Sequence, residues 1–440
     1  MVVSASGTDL GPARIRRARL AVSAFFLTNG ALYANLLPRL PEVKDAFGLS
    51  NTLYGLVVVA FPIGAILVGA LPGRAVRRVG SGRLAALGTV VLSACLAAAG
   101  LGAGPGAGTA AGLAVFVAAM LLAGMLDAHV DTAQNAQGMD VQRARGRSII
   151  NSLHALWSLG AVVGGLMGTA ALALGLPIAW HLGLSGLLWS AVALTALRSA
   201  LGPEDGTALR TTTAPPAEAH AAAGPGDPGA APAAAARPTA APAGHGGRGR
   251  RALLLPVAAV AMAGVMVEDV GANWSAVYLT TQLAAPPAAA GLGLVALMAA
   301  QFVGRMLGDP MTDRWGRAPV VRAGAGLSTA GTLLVVLAPV PAVAVAGFAL
   351  AGFGCATLVP AAFHAADHLP GFRPGTGLAL VSWMMRISNL GLSPAIGVLS
   401  DAVGLSWALA VVPVFTLGAV LVAGSLRDRP APLAGSARSA

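Results

Sequence analysis

Glu268 and Asp269 stand side by side in an apolar run, "GVMVEDVGANWSAVYL" at 264–279, and a single arginine, Arg386, stands in another, "SWMMRISNLG" at 382–391. Carboxylates and a guanidinium at such positions can do two things. They can neutralise each other as an ion pair, or a carboxylate left over from that pair can take up and release a proton. Both need the groups to meet where water or a solute can reach them. No nucleophile–base constellation accompanies them, so the chain does not read as an enzyme. His364 and His368 in "HAADH" have the i, i+4 spacing of a metal clip but lack a third ligand, and "GAGPGAG" at 102–108 lacks the lysine of a phosphate loop. No cofactor and no metal are expected. Cys95 and Cys355 lie far apart in apolar runs and imply neither a disulfide nor a metal cluster.

A second polar group is a stripe. Asp127, Asp131 and Asn135 follow an i, i+4, i+8 spacing, with Gln134 and Gln137 beside them. They could face a cavity, or pair with Arg143, Arg145 or Arg147 as an inner gate, or emerge into the cytoplasm, where acids cost little. His154 could bond Asp131 or Asn135 across a helix interface, line a solute route, or be inert.

The elements that must position these residues follow from composition. The 440 residues are 56% hydrophobic and 10% charged, against about 25% charged in soluble domains, and the mean hydropathy is +0.74. No Asp, Glu, Lys or Arg occurs between Arg83 and Asp127, Arg147 and Arg198, Asp269 and Arg305, or Arg322 and Asp367. A membrane-spanning helix takes roughly 20 apolar residues, so these runs hold helical hairpins. The spans predicted are 20–38, 52–72, 84–103, 109–132, 148–174 and 178–200, then 252–281, 287–308, 319–339, 342–363, 375–400 and 404–426. The expected organisation is a disordered cytoplasmic N-terminus (1–19), a six-helix half (20–201), a disordered cytoplasmic linker (202–251), a second six-helix half (252–426) and a disordered cytoplasmic tail (427–440). The linker is rich in Pro, Ala and Gly and has too little large apolar surface to offset ordering entropy. The basic "ARIRRAR" runs straight into a full-length span, so no cleavable signal is expected.

Arginines gather on one side. They precede span 1, fill the loops after spans 2 and 4, flank the linker, surround the loop between spans 8 and 9 (Arg305, Arg314, Arg317, Arg322), and end the chain. Arg39 and Lys44 fall on the other side, and Arg386 falls inside span 11. Basic residues accumulate on the cytoplasmic side, which predicts a multi-pass protein of the cell (cytoplasmic) membrane with both termini cytoplasmic. A net charge of +11 dispersed over seven short segments, with no single basic face, excludes a nucleic-acid partner.

The halves also echo each other. "GRAVRRVGSGR" after span 2 slides onto "DPMTDRWGR" after span 8, pairing Arg77-Arg78-x-Gly80 with Asp313-Arg314-x-Gly316, and "NSLHALWSLG" aligns with "SWMMRISNLG". Repeated halves argue for a transporter with its site between them, near the bilayer midplane. With "GDPMTDRWGR" the chain resembles the major facilitator superfamily. "PRLPEVKDAFGLSNTLYGL", "DTAQNAQGMDVQRARGRSIINSLHALWSLGAVVGG" and "EDVGANWSAVYL" resemble more narrowly its bacterial branch near the fucose permeases. The resemblance implies a fold of twelve transmembrane helices, all-α, in two pseudo-symmetric halves. It also implies cytoplasmic gating loops at Gly73, Arg77, Arg78, Asp309, Asp313, Arg314, Gly316 and Arg317, with Arg77 standing where the family has an acid. Spans 1 and 7 line the cavity in that family, which nominates Asn29, Tyr33, Asn273 and Trp274 as solute contacts. Asn273 stands where the branch more often has Asp. Trp383, one turn from Arg386, is a further candidate. Span 5 lacks the Gly-Pro pair typical of drug/proton antiporters.

Glu268 lies roughly 24 Å along span 7 at 1.5 Å per residue, and Arg386 a little lower in span 11. An unpaired charge there costs at least about 2.5–3.5 kcal/mol. The expectation is an ion pair of Arg386 with Glu268 or Asp269, the other acid serving proton coupling; the alternative is a pair that only locks helices together. The reading is a monomeric secondary active transporter of a small organic solute, sugar-like or otherwise polar, working by alternating access in the lipid bilayer with the proton as coupling ion. The runner-up is an exporter of a drug or natural product, followed by a non-concentrative facilitator. "GAVVGGLMG" supplies the small-xxx-small spacing of Gly160, Gly164 and Gly168 for close helix packing.

Overall fold

A computed structural model of the chain describes residues 11–147, 149–202, 204–205, 247–367, 369, 372 and 376–426. The tail expected at 427–440 and most of the linker expected at 202–251 lie outside the described residues, as does His368.

Twelve helical rods follow in order among the described residues. They are α1 (Pro12–Ala46), α2 (Asn51–Leu67 and Leu71–Val79), α3 (Ser81–Ala103), α4 (Ala110–Arg145), α5 (Ile150–Ala173) and α6 (Ile178–Leu197). The second six are α7 (Leu254–Gln282), α8 (Leu292–Trp315), α9 (Arg317–Val336), α10 (Pro341–Asp367), α11 (Thr376–Val403) and α12 (Leu405–Leu426). Ten are long and apolar enough to cross a membrane, and α2 makes an eleventh when its limbs, bent by 61°, are taken together. The rod outside that set is α11, which carries Arg386 and Asp401 among its 28 residues. This is a multi-pass, all-α membrane protein.

Helix ends differ from the expected spans, for local reasons. Residue 12 already begins α1, inside the stretch read as a loose terminus, because Arg14 donates to the Ser199 and Ala200 carbonyls at 2.8 and 2.7 Å and thereby ties α1 to the end of α6. The helix leading into α7 starts at Gly247, within the expected linker. α4 runs on to Arg145, 36 residues in all, so the polar stripe sits inside a continuous helix.

Interior contacts rest on small residues. A Cβ on Gly160, Gly164 or Gly168 of α5 would run into the backbone carbonyls of Leu27, Ala31 and Asn35 on α1, so the expected close packing is met there. Large apolar side chains such as Leu187, Val414 and Leu421 point outward, the arrangement that suits lipid, whose tails are as apolar as leucine.

The repeat in the loops is a repeat in backbone geometry. Gly80 (φ 89°, ψ 143°) and Gly316 (φ 81°, ψ 159°) both enter the next helix from a conformation that is essentially glycine-only. Arg77, Arg78, Asp313 and Arg314 are exposed around those turns, as is Asp309, while Gly73 lies within the second limb of α2 and Arg317 starts α9.

At the opposite end the halves lock together. The Asp401 carboxylate of α11 accepts the backbone N–H groups of Asn51 and Thr52 at 3.0 and 2.8 Å, capping α2 from the other half. The Asn51 amide donates to Ser400 at 2.9 Å. Gly55 and Gly397 let the backbones of α2 and α11 meet.

Candidate functional site

Between the halves lies a cavity of about 260 Å³. Its walls take Asn29 and Tyr33 from α1, Asp127 and Asp131 from α4, Trp157 from α5, Glu268, Asp269 and Asn273 from α7, and Arg386 and Asn389 from α11. Residues scattered over most of the chain thus converge on one space.

On the amino-terminal side, the Asn29 amide is spent on both faces. It donates to Asp127 at 2.9 Å and accepts from the Trp157 indole N–H at 2.8 Å. Asn29, nominated as a solute contact, therefore orients Asp127 as well as lining the wall. Tyr33 stacks on Phe61 with ring centroids 4.2 Å apart, and it lies within the fields of Asp269 and Asp127, one from each half. Asp131 accepts from Gln134 at 3.1 Å and from Asn135 at 3.2 Å. Asn135 does not reach the cavity lining; it braces Asp131 from one turn further along α4. The inner-gate pairing expected for the stripe goes elsewhere: Arg143 pairs with Asp140 of its own helix at 2.8 Å. His154 is buried against Phe26 in an edge-on contact, centroids 5.3 Å apart.

On the carboxy-terminal side, the helix itself changes. After Asp269, α7 passes into π-helical turns at Val270–Trp274 and Tyr278–Gln282, a distortion that recurs at functional sites. Glu268 forms its salt bridge with Arg305 at 3.1 Å and also accepts from Gln301, both on α8. Two corrections follow. The counter-charge at Glu268 is Arg305, where Arg386 was expected. Arg305 belongs to the interior of α8, with its side chain 12% exposed, and not to the cytoplasmic loop. The charge count misplaced it because no apolar gap separates it from the loop arginines. Its spacing to Gln301, one helical turn on a polar face, was the available signal. Arg305 further donates to Ser158 of α5 at 2.9 Å, so the ion pair reaches across to the other half.

Asp269 is held differently. Asn273 donates to one oxygen and the Ser393 hydroxyl to the other, each at 2.8 Å. Both donors are neutral, and Ser393 was not foreseen. Arg386 lines the same cavity with Met385 and Asn389.

Two aromatic nominees are corrected. Trp274 is fully buried: its indole donates to Ser393 at 3.1 Å and its ring meets Tyr54 of α2 edge-on, centroids 5.0 Å apart. It seals the joint between α7 and α2, where Tyr54 also donates to the Asn273 carbonyl. Trp383 is 58% exposed. It is not among the residues that line the cavity.

Residues 254–440 match the family model for the Major Facilitator Superfamily. An uncharacterised transporter of Sinorhizobium fredii is 28% identical over 418 residues, spanning 92% of this chain and 97% of that protein. A solved bacterial homologue of the human lysosomal transporter Spinster, inward-facing and unoccupied, superimposes with a TM-score of 0.65 at 15% identity, covering 96% of this chain and 100% of that one. The E. coli fucose:proton symporter FucP gives 0.54 at 16% identity, over 94% and 100% of the two chains. These solved structures share the fold.

Proposed function

We propose that this chain, whose second half matches the Major Facilitator Superfamily model and which is similar along its length to uncharacterised transporters, is a transporter of that superfamily that carries a small polar organic solute across the cell membrane by alternating access, coupled to protons through Asp269. The observation that carries this reading is the unequal treatment of the two adjacent acids on α7. Glu268 is committed to Arg305, and protonating it would abandon a partly buried ion pair. Asp269 is held by hydroxyl and amide donors, so it can gain or lose a proton without stranding a cation. It also lines the cavity.

The described state fits one arm of the cycle. The halves are joined at the Asn51–Asp401 end and the cavity lies behind that joint. With the arginine-rich loops taken as cytoplasmic, the closed end is the outer one. Opening it requires α11 to withdraw its carboxylate from the first turn of α2. It must also part the Asn51–Ser400 hydrogen bond, the close approach of α2 to α11 and the contact of Tyr54 with Trp274. The carboxylates, asparagines and aromatic rings set into an otherwise apolar wall suit a sugar-like metabolite; export of a natural product is the second reading, which the apolar and acidic lining also accommodates.

The test is flux in proteoliposomes with an imposed pH gradient, using labelled sugars and amino sugars. Wild-type protein is expected to concentrate its solute when the gradient is applied. Asp269→Asn is expected to keep solute exchange at zero gradient and lose the response to it. Full gradient response in Asp269→Asn would remove Asp269 from the coupling role.

A further inference from the structure

We infer that the central cavity selects a small monocyclic solute bearing a protonated amine over its neutral and anionic counterparts. This deepens the transport reading and rests on the cavity being the transport site.

The first ground is charge. Four carboxylates line the cavity, Asp127, Asp131, Glu268 and Asp269, and one guanidinium, Arg386. Adding Arg305, which pairs with Glu268 from behind, still leaves two acids in excess of the arginines, whatever their mutual pairing. In a low-dielectric enclosure that excess favours a cation and opposes an anion.

The second ground is hydrogen-bonding capacity, and it is independent of charge. Asn273 spends its amide N–H on Asp269, which sets the orientation of the group. Its Oδ1 is then buried without a hydrogen-bond partner among the described residues. An unmet buried acceptor is costly, and on this wall it stands beside a carboxylate, which also only accepts. A ligand that satisfies both must donate, and an ammonium donates up to three times. Asn29 gives one amide N–H to Asp127 and its oxygen to the Trp157 indole, so its own carbonyl oxygen is already engaged.

The third ground is shape. At about 260 Å³ the cavity falls at the small end of ligand sites. Tyr33, stacked on Phe61, and Trp157 present aromatic surface to it. Such faces pack against a saturated ring and attract a cation. Tyr33 shares the cavity wall with Asp127 of one half and Asp269 of the other.

The experiment is thermal unfolding of the full-length protein in detergent with three matched probes: glucosamine, glucose and glucuronate, at a pH where the amine is charged. Glucosamine is expected to stabilise the protein with a half-saturating concentration at least about tenfold below that of glucose, the worth of one charge-assisted hydrogen bond. Glucuronate is expected to have no effect. Asp269→Asn and Asp127→Asn are isosteric, and each is expected to shrink the preference while keeping the unliganded melting temperature close to wild type. If Asp269→Asn fails to fold, Asp127→Asn alone decides. Equal or better stabilisation by glucose or glucuronate overturns the inference, as does stabilisation by none of the three. Preferential binding of glucosamine without any gradient-driven flux would instead refute proton coupling and leave the selectivity standing.

Discussion

In the amino-terminal half a central carboxylate, Asp127, is positioned by an amide that an indole holds in place, whereas the carboxy-terminal half sets an ion pair beside a neutral-bonded acid within two consecutive residues. One half presents a scaffolded wall. The other holds a fixed charge and an adjustable one, on a helix loosened by π turns. Related folds in the two halves therefore do not divide the chemistry equally: α1 brings the neutral Asn29 and Tyr33 to the cavity, whereas α7 brings two carboxylates and α8 the arginine that pairs with one of them. A pseudo-symmetric scaffold constrains where helices run, not which of them carries the titratable group.

That contrast can be broken at its strongest point first. Arg305→Met strands Glu268 in a partly buried site and is expected to cost about 3 kcal/mol, read as a lower melting temperature; the double replacement with Glu268→Met should recover most of it, because the unpaired charge is gone. Unchanged stability in the single variant would mean that Glu268 finds another cation. Next comes Asp269→Asn, expected to leave folding intact and remove the gradient response, which separates the adjustable acid from the fixed one. A third change addresses the sealed end. Gly397→Val places side-chain atoms where α11 meets the Asn51 backbone and is expected to hold the Asp401 end open, seen as faster labelling of a cysteine introduced at Asn273. Labelling no faster than in the unaltered background would show that closure does not depend on this contact. Smaller still is Gly316→Ala, which forces a side chain into a conformation costing roughly 1–3 kcal/mol. The same change at Gly80 should cost a similar amount if the two loops are true equivalents. Trp383→Ala is expected to leave solute binding unchanged, since that exposed ring is not part of the cavity lining.

Much of this was legible before any coordinates. Long charge-free runs placed nearly every helix, the paired loop motifs located the half-to-half repeat, and the acids and arginine in apolar segments marked the cavity-lining positions of α4, α7 and α11. The partner of Glu268 was not legible. Arg305 precedes the loop cluster by a few residues and was counted with it, although its depth in α8 sets it apart. Nor was the role of the tryptophans. Trp274 and Trp383 both neighbour cavity residues in sequence, yet one is sealed into a helix joint and the other faces outward.

The reason lies in what each level of description contains. Hydropathy is a sum over consecutive residues, so the chain alone determined that it crosses a bilayer repeatedly, where it turns, and that its few intramembrane charges needed compensation. Which charges meet depends on the rotation and depth of each helix. Those are set by close approaches between small residues on different helices, Gly160 against Leu27 or Gly397 against Asn51, which no local window records. Only the packed structure decided that Arg305 answers Glu268, that Asp269 is left to neutral donors, and that the two halves close at Asp401.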